Sequence, residues 1–209
     1  RDWILPIDPN GNLYPGNQKR VHADASLTVT DWDDWLTTLD VPGFVLTQQP
    51  DVGFRLRNVV IDLSDHLNAP GFKLPVSPFQ NDVMPVAPGF PISTAPEVMP
   101  WRGVYARQVE ILLPSVFNQS ETRLSAGAEN LYIQSDGVTG DFFVKELLPY
   151  DKGDMEGWPW SVDYLEAAVF QNKFYKFEFS GRLGLPVQEE TESLRYAAFG
   201  NLAKQHYNF

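Results

Sequence analysis

A chain of 209 residues with 43% hydrophobic content is long enough to bury a core and too apolar to remain disordered. Its formal net charge of −11 opposes docking on nucleic acid or anionic lipid, which both need clustered Lys and Arg. Without cysteine there are no disulfides, thiolate metal sites or cysteine nucleophiles. Apolar runs such as Val59–Ile61 and Ile111–Leu113 fall far short of the roughly 20 residues of a membrane helix, so no membrane insertion is expected.

Seventeen prolines and fifteen glycines are spread along the chain and leave little room for long helices. Residues 1–23 are rich in turn formers. The next segment holds the one expected helix, near residues 30–40. Thr30 or Asp31 would cap it, and Trp32, Trp35, Leu36 and Leu39 would share one face. Strand patterns follow at Gly53–Leu63, Trp101–Leu113, Leu124–Gln134, Asp141–Leu148, Trp160–Phe170 and Phe174–Leu185. In the last of these, Tyr175, Phe177, Phe179, Leu183 and Leu185 alternate with Phe174, Lys176, Glu178, Ser180 and Arg182, as a half-buried strand requires. Ser193–Phe199 reads as a further strand in preference to a short capped helix.

Residues 64–100 differ from the rest. They carry eight of the 17 prolines and no clear period, which marks a long ordered loop or arm. The tripeptide Pro-Gly-Phe recurs at 42–44, 70–72 and 88–90, as a turn with an aromatic anchor. The stretch Glu129–Ser135 resembles a viral protease recognition sequence. Its alternation and the turn formers Ser135, Asp136 and Gly137 instead place it in a native hairpin, between strands beginning near Leu124 and ending near Leu148.

The search for chemistry returns no nucleophile elbow, zinc-binding helix, phosphate loop or dinucleotide fingerprint. The three histidines, His22, His66 and His206, stand in separate contexts, and Asp62, Asp65 and His66 form the tightest cluster. Paired carboxylates for a glycosidase would come from Asp33/Asp34, Asp62/Asp65, Asp136/Asp141 or Asp151/Asp154/Glu156. No cofactor is expected. If a metal binds, only oxygen ligands are abundant, which points to calcium. Asp8–Asn12 and Asp151–Glu156 are the loops to consider, and an Asx-rich turn explains the first better, a solvated turn the second. Among the six tryptophans, Trp32, Trp101 and Trp158 are the candidates for stacking on a glycan, against core packing as the alternative.

The expectation is an all-β, mainly antiparallel fold. It would be a β-sandwich or jelly-roll-like double sheet with long Pro-rich loops, forming one domain over 1–209 that reads as an excerpt of a larger protein, with 101–187 as its most regular part. The expected function is a non-enzymatic structural or interaction module of a secreted, cell-surface or particle assembly, with protein partners or sister domains of the same polypeptide. A lectin-like domain and a β-fold glycoside hydrolase are the alternatives.

Overall fold

A computed structural model describes residues 4–14, 21–32, 34–64, 75, 77–79, 101–114, 123–185 and 193–208. Among them there is no helix. Eleven strands run in chain order: β1 (Ile4–Pro6), β2 (Asp24–Asp31), β3 (Asp34–Leu46), β4 (Gln49–Asp62), β5 (Gly103–Leu112), β6 (Ser125–Gln134), β7 (Gly137–Met155), β8 (Trp158–Phe170), β9 (Lys173–Gly184), β10 (Ser193–Asn201) and β11 (His206–Asn208). The all-β antiparallel class is as expected. The strands are joined by hydrogen bonds into one continuous sheet in the order β1-β3-β4-β5-β6-β7-β8-β9-β10-β11, with β2 beside β3. The layout is a meander in which most strands pair with their sequence neighbours.

The helix expected near residues 30–40 is not present. A turn around Trp32 joins β2 to β3, and β3 pairs with β4 through Leu36↔Asp62 and Leu39↔Val59. The helical spacing of Trp32, Trp35, Leu36 and Leu39 coincides with a stretch rich in β-branched residues: Thr28, Val29, Thr30, Thr37 and Thr38. Such residues fit a pleated surface, and cross-strand partners on both sides outweigh a weak local helical pattern.

The hairpin at residues 129–141 is β6–β7, as expected. Gly137 begins β7 at φ 128°, and a Cβ there would strike the side chain of Asn172. Asn172 accepts a hydrogen bond from the Val138 amide at 2.9 Å, so this turn interlocks with the β8–β9 turn. Most of the Pro-rich arm lies outside the described residues. Its described part includes Phe79, which packs edge-on against Phe170 of β8 and Tyr175 of β9 at 6.4 and 6.1 Å.

The register assigns side chains to two faces. On one lie Arg55, Glu110, Ser125, Asp141, Lys145, Tyr164, Glu166, Lys176 and Glu178. On the other lie Phe54, Ile111, Ala126, Val144, Leu165 and Phe179, a single paired row across β4 to β9, which Ala198 continues into β10. Apolar packing concentrates at two places. Ile7, Val45 and Leu112 cluster where the N-terminal segment crosses the polar face, and Leu36, Val60 and Tyr105 cluster on the opposite face.

Candidate functional site

The polar face is held by charge pairing. Glu110 is 3% exposed, the usual mark of a carboxylate that must be paired. Arg55, directly opposite on β4, donates to it at 2.8 Å, Ser125 on β6 donates at 2.8 Å, and Lys145 on β7 stands 3.8 Å away. Burial alone would raise the Glu110 carboxyl. The bonds from Arg55 and Ser125, with the charges of Arg55 and Lys145, overcome that and hold it below the ordinary carboxylate range. Arg55 also donates to the carbonyl of Pro9, and Arg123 donates to the carbonyl of Gly11 at 3.0 Å. The same cluster therefore fastens the N-terminal segment over this end of the sheet.

A second group lies further along this face. Glu166 accepts from Tyr164 at 2.5 Å and from Lys176 at 2.7 Å. Burial pushes Glu166 up, but Lys176 and Tyr164 bring it below its ordinary value. Asp141 is raised, mainly by burial and further by the nearby Glu166. Glu166 is thus an ionised carboxylate locked in an ion pair and a phenol bond, a structural arrangement more than a poised acid or base.

The third feature is a carboxylate pair where β3 begins and β4 ends. Asp62 is 0% exposed. Its Oδ1 accepts the Ser64 amide at 2.9 Å, and its Oδ2 has no hydrogen-bond partner among the described residues. Burial, with the charge of the buried Asp34 adding to it, pushes the Asp62 carboxyl up to about 6 despite the Ser64 bond and Arg102. A raised carboxylate beside a second one is the kind of pair a hydrolase needs. Both acids are buried, however, and neither lines the cavity described next. Asp65, His66 and Asp33, the other members of the carboxylate and histidine pairings expected here, lie outside the described residues. Asp34 and Asp141 acquire their partners Asp62 and Glu166 only through strand pairing, which residue spacing cannot reveal.

A cavity of about 510 Å³ opens beside the N-terminal segment, where Arg55, Arg57, Arg107, Asp24, Asp40 and His22 meet. Cations and carboxylates are mixed along its wall. Of the two segments considered for a metal, Asp8–Asn12 is a turn, while Asp151–Met155 is the end of strand β7 and only Glu156 enters the turn after it. Asp8 accepts the Asn10 and Asn12 amides, each at 2.8 Å, and Asp154 accepts the Gly157 amide at 2.5 Å. Among the described residues, no group of three or more His, Asp or Glu is placed to hold a metal.

The three tryptophans separate. Trp101 is 1% exposed, donates to Gln134 at 2.7 Å and lies edge-on to Tyr132 at 6.3 Å, so it is a core residue with no face open to a sugar. Trp32 is 94% exposed at the β2–β3 turn. Trp158 is partly exposed at the β7–β8 turn. Because β3 and β7 both run away from the Trp32 end of the sheet, the two open rings stand at opposite ends and cannot form one stacking platform.

The apolar face offers the largest coherent surface. Beside the row from Phe54 to Ala198 runs a second row, Leu56, Val109, Ala128, Phe142, Ala167 and Phe177. Neither row holds a charge. Ile111, Phe142 and Leu165 remain exposed within them. At about 4.8 Å per strand and about 7 Å between rows, the band is roughly 30 Å wide and two residues tall on each strand. A strand crossing a bilayer needs about 9–11 residues, or four to five positions on the lipid side, so this band is too short for that role. It is comparable in extent to the patches that mark protein interfaces. Among the described residues no helix is long and apolar enough to cross a membrane.

No protein-family model, curated protein or solved structure matches the chain.

Proposed function

We propose that the chain is a non-enzymatic structural or interaction module, and that its charge-free band packs against the apolar face of a neighbouring protein layer. The observation behind this is the paired row from Phe54 to Phe179, which crosses six strands without a polar side chain while Ile111 and Leu165 stay open. Exposed apolar patches of this kind mark protein contacts. The opposite face supports the reading, since its buried carboxylates Glu110 and Glu166 are paired with Arg55, Lys145 and Lys176 within the fold. The test is the double variant Ile111→Glu, Leu165→Glu, followed by binding of an apolar fluorescent dye and by circular dichroism. The expected result is strong dye fluorescence on the native chain and a several-fold loss on the variant, with the spectrum of the sheet unchanged. Unfolding of the variant would show that the band is an internal core, and equal dye binding would show that it is not the open surface.

A second, lectin-like reading keeps one specific support, the fully open ring of Trp32 among aspartates. It expects glycan binding that Trp32→Ala abolishes. A glycan array without a signal would remove it.

A further inference from the structure

The edge strand β2 is a different surface from the band, and it is exposed along its whole length, Asp24–Asp31. It pairs with β3 on one side only, and no described strand lies on the other. In an antiparallel pair, alternate residues turn their N–H and C=O groups away from the partner, so β2 presents an open ladder to solvent. Natural edges are commonly guarded by lysine, proline or inward-pointing charge. β2 has no lysine and no proline, and it displays Leu27 at 64% and Val29 at 60% exposure on one face. The hairpin turn beyond it carries Trp32. Residues 21–54 contain six aspartates and no lysine or arginine. Two of those aspartates, Asp24 and Asp40, line the cavity together with Arg57 and Arg107, Asp51 lies at the far β3–β4 turn, and Asp31 stands exposed beside Trp32, with its Oδ1 accepting the Trp32 amide at 2.6 Å.

We propose that β2 accepts an added strand: an extended segment of a partner protein with aliphatic residues at alternate positions and a lysine or arginine at the end that meets Asp31 and Trp32. Main-chain hydrogen bonds to β2 hold the segment, and Leu27 and Val29 cover its aliphatic side chains. Its cation lies between the Asp31 carboxylate and the open face of the Trp32 ring, where charge pairing and cation–π attraction act together. A second copy of this chain fits the site poorly. Its β2 would meet this one antiparallel, bringing Asp24 and Asp31 of the two copies together, and like charges directly opposite disfavour a strand pair.

The test uses two synthetic nine-residue peptides, each alternating threonine and valine, one with lysine and one with glutamate at both ends. Binding is followed by tryptophan fluorescence and by titration calorimetry at low salt. The lysine peptide is expected to bind with a blue shift that Trp32→Phe reduces, and to bind about tenfold or more tighter than the glutamate peptide. Thr28→Pro should abolish binding by removing a ladder donor. Because that variant can disturb β2 itself, Leu27→Lys with Val29→Lys serves as the second. It leaves the backbone intact and should weaken the lysine peptide about tenfold. Failure of the lysine peptide to bind, equal binding of the two peptides, or binding unchanged in the lysine variant would each overturn the proposal. Self-association through β2 in sedimentation, lost in the same variant, would overturn it in favour of a second copy.

Discussion

Two regions of one sheet each bury a carboxylate in opposite ways. Glu110 sits mid-sheet with Arg55 and Lys145 within reach and a hydroxyl from Ser125, so its charge is the stable form. Asp62 sits at a strand exit with one amide bond and an unpartnered oxygen, facing Asp34, so its proton is favoured. Burial alone therefore says little about a carboxylate. What decides its state is how many donors the neighbouring strands deliver. Mid-sheet, three strands deliver them together, while at the strand exit the ladder is ending and few remain.

The largest expected effect on this contrast is from Glu110→Ala. It strands Arg55 and loosens the anchoring of the N-terminal segment, and should destabilise the fold by about 3–5 kcal/mol in denaturant titration. If the loss is small, the Glu110 cluster adds nothing beyond its desolvation cost. Next comes Asp62→Asn, with the opposite sign. The folded carboxyl titrates at about 6 against an ordinary 3.8, so its ionised form opposes folding above pH 6. The penalty is relieved as pH falls from 6 towards 4. The variant should thus gain up to about 3 kcal/mol at pH 7 and lose the native chain's gain in stability between pH 7 and 5. Identical stability–pH curves for the two proteins over that window would refute the raised titration.

Ser125→Ala removes one donor from Glu110 and should cost about 1–2 kcal/mol. Its measurable mark is acid sensitivity. The folded titration of Glu110 is lowered, so its contribution is present above its unfolded value and disappears as pH falls through the folded one. With the donor gone, acid unfolding should begin at a higher pH. Arg102→Gln should have the smallest effect. Arg102 is exposed and opposes the rise at Asp62 only through its charge, so the variant should move the Asp62 titration slightly upward, and 0.5 M salt should mimic it.

Much of the fold was legible in the sequence because period-2 alternation survives wherever one face of a strand differs from the other. The Phe174–Leu185 pattern is β9 almost to the residue, and the disputed stretch at 129–141 is the β6–β7 hairpin. The helix expected near 30–40 failed because the four aromatic and aliphatic positions carry a helical spacing that only the partner strands β2 and β4 override. The all-β antiparallel class expected from the composition and alternation holds and is consistent with a sandwich-like fold, while the order in which the strands pair was not readable from size or strand count. Of the candidate site residues, Trp101 was not readable as core, since the Gln134 side chain that accepts its N–H lies 33 residues away. The two carboxylate clusters were invisible for the same reason: Glu110 with Arg55 and Asp62 with Asp34 are partners only through register.

The pairing of β4 with β5 spans an unusual gap. Asp62 faces Gly103, so 40 residues separate two paired strands, against 12 between β5 and β6 and eight between β9 and β10. Closing so long a loop costs about 2 kcal/mol more in chain entropy than closing a four-residue one, and each further doubling adds only about 0.6 kcal/mol. Two stacks of local hairpins, β2 to β4 and β5 to β11, can therefore form quickly on their own, and the seam between them sets the pace of folding. The same arithmetic makes this seam the place where extra sequence can be added to the chain at least thermodynamic cost.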